Sequence, residues 1–196
     1  MGQRIIGLTG GIATGKSTVS DYLAEHYQLP VLDADVYARQ AVELGTKTLA
    51  AIAQRYGDDV LNAHGTLNRL HLAQVIFQDP VEKIWVEQQI HPFVRQRFAE
   101  EMQLLQSAPT VVQSIPLLFE ANFVAQVTEI WVVIAAESIQ LARLIRRNAL
   151  SEEAARARIN SQWPFSAKIV GADIVLHNNE TMTALYAQVD QALSRS

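Results

Sequence analysis

The sequence predicts an α/β fold in which a parallel β-sheet is flanked by helices, and three observations indicate it. Short apolar runs rich in β-branched residues alternate with longer stretches of helical spacing along most of the chain. A glycine-rich loop joins the first apolar run to a helical stretch. The chain has 196 residues, enough for one domain with a substantial core and insertions, but not for two full-sized domains. We therefore expect a single domain over 1–196.

The predicted strands are five apolar runs of the length and composition of central strands. In chain order they span 4–9, 30–32, 110–115, 129–134 and 172–176. Ligands of parallel α/β sheets gather at the carboxyl ends of the strands. Thr9, Asp33 and Pro116 end or follow three of these runs. We therefore expect these three residues at the ligand-binding edge.

The predicted helices are stretches in which apolar residues recur with helical spacing. They span 16–27, 46–56, 69–77, 80–105, 138–148, a stretch from Ser151 and 181–193. Pro92 should break or kink the fourth of these, because proline removes an intrahelical hydrogen bond, so two helices are expected to meet there. A helical insert over 36–107 separates the second and third strands and predicts a side wall for an acceptor substrate. The alternative is a plain packing layer.

The glycine-rich loop fits the phosphate-binding pattern G-x-x-x-x-G-K-[ST] from Gly10 to Ser17. Glycines let backbone N–H groups curl around a polyphosphate, the lysine reaches the outer phosphates, and the hydroxyl ligates Mg²⁺. A strand before the loop and a helix after it make a chance match the weaker reading. The candidate nucleotide-binding residues are Gly11, Ile12, Ala13, Thr14, Gly15, Lys16, Ser17 and Thr18, with Ser17 also the candidate metal ligand.

Composition and charge exclude several classes of protein. The formal net charge is −4, which argues against a nucleic-acid-binding protein. The chain has no cysteine, so disulfides, thiolate metal sites and cysteine nucleophiles are excluded. No apolar run approaches membrane-spanning length, and no signal peptide is evident at the first residues. We expect a cytoplasmic protein with a nucleotide ligand.

The missing motifs narrow the phosphate chemistry to a small phosphotransferase. No Asp has Gly three positions later and no lysine fits [NT]-K-x-D, so the sequence argues against a switch GTPase. Many transport or remodelling ATPases end an apolar strand in Asp-Glu, and no predicted strand of this chain does so. A phosphotransferase needs a carboxylate near the acceptor hydroxyl and arginines that neutralise the transferred group. Asp33 and Asp35 follow the second strand, and alternation along an extended backbone would aim both to one side. A pair of helix-capping aspartates is the alternative.

The required arginines are found in a basic window of this acidic protein, which contains Arg143, Arg146, Arg147, Arg156 and Arg158. Arg143 and Arg147 are four residues apart and share a helical face. We expect at least one arginine of this window to serve catalysis or ATP binding. A solvated basic face is the alternative.

These residues together resemble the dephospho-CoA kinase family over nearly the whole chain. The most specific runs are Ile115-Pro116-Leu117-Leu118-Phe119-Glu120 and Leu32-Asp33-Ala34-Asp35. Further matches are Ala38-Arg39, His91-Pro92, Gln140 with Arg143 and Arg147, Gln162 with Lys168, and Asn178. The resemblance implies a P-loop kinase core, a helical acceptor-binding domain from the insert 36–107, and an arginine-bearing lid over 138–165.

The resemblance also implies a reaction and residue roles. The reaction is ATP-dependent phosphorylation of the ribose 3′-hydroxyl of dephospho-CoA, with Mg²⁺. Asp33 would act on that hydroxyl, Lys16 would bridge the outer phosphates, and Arg143 would stabilise the transferring group. Arg147 and Asn178 would join the ATP site. The acceptor side would comprise Thr9, Asp35, Arg39, His91, Arg95, Pro116 and Leu117.

Some positions depart from the family pattern. Ala13-Thr14 replaces the usual Gly-Ser in the loop, which restricts the backbone. Ser114 stands where an aspartate is usual, so we expect the work of that aspartate near Mg²⁺ to pass to Asp33 or Glu120. Two alternatives stay open. One is another small-molecule kinase that acts on a nucleoside or nucleotide, because the fold is the same and only the insert selects the acceptor. The other, suggested by Ser114, is a nucleotide-binding regulatory protein without catalysis.

Overall fold

The structure is a computed structural model that describes residues 2–195; the side chains of Phe77 and Gln78 lie outside the description. Five parallel strands form one sheet in the order β2-β3-β1-β4-β5. Their bounds are β1 (Arg4–Gly10), β2 (Val31–Asp33), β3 (Thr110–Ser114), β4 (Glu129–Ile134) and β5 (Ile174–His177). The predicted α/β class with a parallel sheet is confirmed.

Helices connect these strands along the chain. Their bounds are α1 (Lys16–Tyr27), α2 (Ala34–Gln40), α3 (Lys47–Tyr56), α4 (Arg69–Gln78), α5 (Pro80–Leu104), α6 (Glu137–Asn148), α7 (Glu152–Asn160), α8 (Phe165–Val170) and α9 (Met182–Leu193). Ser151 caps α7, as the sequence predicts, because its Oγ accepts a hydrogen bond of 3.2 Å from Ala154 N–H. Within the described residues, no helix has both the length and the apolar character needed to cross a membrane.

The chain divides into two compact units. The first unit contains the sheet, with the residues up to Asp33 and from Leu105 onward, and the second unit is Ala34–Leu104. In the first unit, Ile6 and Leu8 of β1 are fully buried. They pack with apolar residues of α1 and α9 in one core cluster. β1 lies between β3 and β4, so the loop that follows it starts at the middle of the sheet edge.

The second unit has its own core, built from residues of its helices and connecting loops. This core comprises Val42, Leu49, Ile52, Val60, Leu67, Leu72 and Val86. Tyr37 of α2 meets Phe98 of α5 edge-to-face, with ring centroids 5.1 Å apart. The unit corresponds closely in residues to the predicted insert 36–107; that it binds the acceptor stays a prediction.

The expected break at Pro92 is wrong, because α5 runs as one helix from Pro80 to Leu104 through this residue. A proline inside a helix leaves carbonyl groups of the preceding turn without their usual donors. Thr48 Oγ1 donates a hydrogen bond of 3.3 Å to the carbonyl of Gln89 in that turn. A side chain from α3 thus supplies a donor beside Pro92, which helps the helix continue.

The expected alternation of Asp33 and Asp35 is also wrong. β2 ends at Asp33, and α2 begins at Ala34, so Asp35 lies in the first turn of a helix. A helical turn rotates successive side chains by a different angle from an extended strand. The two carboxylates therefore belong to different elements and to different units.

Glu82 of α5 ties α3 to α5 within the second unit. Its carboxylate accepts hydrogen bonds from Arg55 Nε at 2.6 Å, from Arg55 Nη2 at 2.7 Å and from Tyr56 Oη at 2.6 Å. The Arg55 guanidinium, followed by the Tyr56 hydroxyl, lowers the pKa of Glu82 to about 2. Burial and the neighbouring Glu82 raise the pKa of Tyr56 to about 12.

We predict that Glu82→Gln destabilises the protein at neutral pH and that the difference from the wild type shrinks in acid. The folded pKa lies below the ordinary value of 4.5, so ionised Glu82 contributes stability above that value and loses it as pH falls toward about 2. Urea unfolding of both proteins across this range measures the effect. The control is Glu87→Gln, whose carboxylate pairs with Lys83 at 3.9 Å. A Glu82→Gln deficit that is independent of pH would contradict the prediction.

Candidate active site

The phosphate loop runs from the end of β1 to the start of α1. Gly15 has a φ of +97°, in the left-handed region that favours glycine, and a Cβ there would collide with Asn178 Nδ2. A Cβ at Gly11 would lie 2.8 Å from the Phe165 ring. The first-turn N–H groups of α1 have no intrahelical acceptor and form, with the helix dipole, a site for anions. The loop is therefore shaped for a phosphate group.

Side chains hold the outer polar groups of this loop. Asn178 Nδ2 donates to the Thr14 carbonyl at 2.7 Å, and Arg143 Nη1 donates to the same oxygen at 3.4 Å. The buried Thr14 hydroxyl donates to the Gly11 carbonyl at 2.9 Å. A carbonyl that is satisfied from outside does not compete with a phosphate for the inner face of the loop. Arg143 and Asn178 are thus brought to the loop.

Two glutamines that the sequence analysis did not select as site residues bind Ile12. Ile12 N–H donates to Gln162 Oε1 at 2.7 Å, and Gln140 Nε2 donates to the Ile12 carbonyl at 2.7 Å. Gln140 is buried and Gln162 is half-buried. The only sequence signal for these two glutamines is that their positions match the spacing of the family pattern.

Ala13 has a φ of 59°, in the left-handed region, although the family usually has glycine in this part of the loop. This conformation costs an L-residue about 1–2 kcal/mol. Hydrogen bonds at Ile12 and Thr14, each worth about 1 kcal/mol, are of the size needed to offset that cost. The alanine is therefore accommodated in the loop, although its side chain restricts the backbone.

Lys16, Ser114 and Asp33 form a series of polar contacts at the carboxyl edge of the sheet. Lys16 Nζ donates to Ser114 Oγ at 2.5 Å, and Ser114 Oγ donates to Asp33 Oδ2 at 3.1 Å. The register of β1, β3 and β2 explains the meeting, because the Cα atom of Ser114 is opposite both Leu8 and Asp33. Ser114 is fully buried. A neutral hydroxyl thus lies between a cation and a carboxylate.

The other predicted site residues of the first unit differ in their exposure to solvent. Thr9 is buried, and its Oγ1 donates to the Pro116 carbonyl at 3.1 Å. Leu117 is half-buried in the turn after β3. Ser17 is exposed, and Thr18 is half-buried, in the first turn of α1.

The two arginines of α6 point to different partners. Arg143 is half-buried and reaches the Asn178 carbonyl and Oδ1, both at 3.3 Å. Arg147 is exposed, and its Nε donates to Asn148 Oδ1 at 2.9 Å. The structure brings Arg143, and not Arg147, into hydrogen-bonding contact with the phosphate loop.

Glu120 has a different setting from the one suggested for a metal site. Its Oε1 lies 2.8 Å from Nζ of Lys168, which is fully buried, and accepts from Trp163 N–H at 3.2 Å. The expectation that Glu120 takes over work at Mg²⁺ is therefore not supported by its contacts. Ser114, Lys16 and Asp33 meet elsewhere at the sheet edge.

The second unit contains a cavity of about 460 Å³. Asp35 and Arg39 line it, together with Arg69 and apolar residues of α4 and α5. His91 and Arg95, four residues apart on α5, are not among its lining residues in the described part of the chain. Burial lowers the pKa of the half-buried His91, more than the opposing charge of Glu87 raises it. Its imidazole is therefore neutral at neutral pH.

Comparison with known proteins gives a consistent result. A family model described as dephospho-CoA kinase matches residues 4–184. The dephospho-CoA kinase of Synechocystis sp. is 52% identical over 190 residues, which cover 97% of this chain and 94% of that protein. The corresponding enzyme of Nostoc sp. is 53% identical over 194 residues, covering 99% and 98%.

A solved structure agrees with these sequence matches. The dephospho-CoA kinase from Campylobacter jejuni superimposes with a TM-score of 0.71 and 25% sequence identity, and the match covers 97% of this chain and 95% of that one. The resemblance inferred from the sequence motifs is confirmed. The phosphate loop, the sheet order and these matches have one common explanation: the chain belongs to the dephospho-CoA kinase family.

Proposed function

We propose that Asp33, Lys16 and Arg143 carry out the phosphorylation of the ribose 3′-hydroxyl of dephospho-CoA, giving coenzyme A and ADP. The chain belongs to the dephospho-CoA kinase family, whose members are ATP-dependent transferases. The observation that carries the assignment of roles is the contact series from Lys16 through Ser114 to Asp33 beside the phosphate loop.

Asp33 is proposed to orient the acceptor hydroxyl and accept its proton. A general base must lie within hydrogen-bond reach of the proton it takes. The Asp33 carboxylate already accepts a hydrogen bond from the Ser114 hydroxyl at the sheet edge where ligands gather. The same Ser114 hydroxyl also contacts Lys16, so it links the carboxylate to the lysine of the phosphate loop.

Lys16 and Arg143 are proposed to bind the phosphates of ATP. Phosphoryl transfer depends on positioning and on stabilising the charge that spreads over the transferred group. Lys16 follows the loop glycines, and Arg143 approaches the loop from α6. Arg147 and Asn178 belong to this proposal in lesser roles: Asn178 holds the loop from outside, and Arg147 offers an exposed cation on the same helix.

Mg²⁺ fits the donors that the loop offers. The exposed Ser17 hydroxyl stands in the first turn of α1, immediately after Lys16, and would hold the ion together with ATP phosphate oxygens. Bound there, the ion would neutralise phosphate charge during transfer.

A cytoplasmic location, expected from the composition, is also part of the proposal.

The second unit is proposed to bind the acceptor. Its cavity is lined by apolar side chains and by Arg39 and Arg69. This combination suits a molecule that has both a phosphate group and an apolar arm. His91, Arg95 and Asp35 remain candidates on the acceptor side. Because His91 is neutral at neutral pH, it would serve there as a hydrogen-bonding group rather than as a cation.

The function is tested by offering the protein a choice of acceptors. With ATP and Mg²⁺, we expect mass spectrometry to detect coenzyme A from dephospho-CoA, and no phosphorylated product from adenosine or nucleoside monophosphates. Faster turnover on one of those acceptors would replace the substrate assignment. Nucleotide binding without any transfer would favour the regulatory alternative.

We predict that Asp33→Asn lowers kcat by about 10²–10⁴-fold, the usual contribution of a general acid–base group, while ATP affinity is retained. The amide keeps the shape of the side chain but removes its negative charge and its ability to accept the proton. Steady-state kinetics and calorimetric nucleotide titration measure the two quantities. Asp21→Asn, on the exposed surface of α1, is the matched control. Loss of nucleotide binding in Asp33→Asn would contradict the assigned role.

We predict that Arg143→Ala lowers kcat/KM for ATP by as much as ~10³-fold, equivalent to about 4 kcal/mol, because the guanidinium stabilises the transferring group. Arg146→Ala removes an exposed cation one turn along the same helix and serves as the control. An equal, small effect of both changes on the initial rates would contradict the role of Arg143 and favour the alternative of a solvated basic face.

A further inference from the structure

We propose that Gln162 is a positioning residue that holds the phosphate loop in the conformation that binds nucleotide. The inference rests on the proposed function only in taking this loop as the ATP site. Gln162 Oε1 accepts from Ile12 N–H at 2.7 Å, while Gln140 Nε2 donates to the Ile12 carbonyl at 2.7 Å. Two consecutive peptide planes of the loop are therefore oriented by side chains from outside it.

The peptide after Ile12 leads directly into the strained residue of the loop. Ala13 has a φ of 59°, which an alanine leaves readily when nothing holds it. If Ala13 relaxed toward the right-handed region, the N–H groups that follow would turn away from the phosphate position. Fixing the orientation on the near side of Ala13 therefore keeps the anion site formed before nucleotide arrives.

Gln162 reaches the loop from a backbone that is itself anchored. It lies in the connector, defined as residues 161–164 between α7 and α8. Within the connector, Trp163 N–H donates to Glu120 Oε1 at 3.2 Å. Just beyond it, the fully buried Lys168 places its Nζ 2.8 Å from the same oxygen. A side chain on a fixed backbone loses less entropy when it binds, so its hydrogen bond holds the loop more effectively.

The glutamine pair differs from the groups proposed to touch ATP. The Ile12 N–H is satisfied by Gln162, so Gln162 acts on the loop backbone. Its loss should therefore weaken nucleotide binding through the loop and leave acceptor affinity unchanged. A residue with only a structural role would change the unfolding temperature without this division between the two substrates.

The test compares Gln162→Met, which has similar length but no acceptor oxygen, with Gln162→Glu, which retains one. For Gln162→Met we expect the Kd for Mg-ADP to rise by about tenfold, the effect of one hydrogen bond, with KM for dephospho-CoA unchanged. Amide hydrogen exchange at Ile12, followed by NMR, should accelerate in Gln162→Met and stay slow in Gln162→Glu. Gln191→Met, on the exposed surface of α9, is the control.

The proposal is overturned if Gln162→Met and Gln191→Met have the same Kd for Mg-ADP. It is also overturned if the Kd rises without faster exchange at Ile12, because the effect would then not pass through that bond. Activity of the wild type is measured in parallel. A wild type that binds Mg-ADP but makes no coenzyme A would remove the proposed function and leave this inference standing.

Discussion

The proposed nucleotide site depends on one constraint: a phosphate loop directs N–H groups inward, so its outward polar groups need other partners. Within the loop, Thr14 bonds the Gly11 carbonyl through its N–H and its hydroxyl, but both polar groups of Ile12 and the Thr14 carbonyl have partners outside the loop. Here they come from α6, from the connector and from the residue after β5, through Gln140, Arg143, Gln162 and Asn178. Segments far apart in the sequence therefore converge on a few loop residues.

The same edge of the sheet also manages charge. Lys16 of α1 and Asp33 of β2 carry opposite charges. The hydroxyl of Ser114 accepts from one and donates to the other. Serine at this position, where the family usually has aspartate, thus supplies an uncharged bridge, and it leaves one fewer negative charge near the proposed phosphate site.

The sequence predicted what local patterns determine. The loop motif, the bounds of α1 and β4, and the cap at Ser151 follow from spacing and residue type, and the structure reproduces them. The sequence did not predict the continuation of α5 through Pro92, because a side chain on another helix supplies a hydrogen-bond donor there. Likewise, nothing local indicates that Gln162 meets Ile12, since the bond spans 150 positions along the chain.

The anchoring of the connector bears on how the predicted lid over 138–165 would move. Residues at its C-terminal end are bonded to the phosphate loop through Gln162 and to the segment after β3 through Glu120. Among the hydrogen bonds described for α7, Arg156 pairs only with exposed carboxylates, Glu137 and Glu152. Exposed pairs are weak. If such a lid moves, breaking the ion pairs of Arg156 would therefore cost less than breaking the bonds of the connector to the phosphate loop and to Glu120.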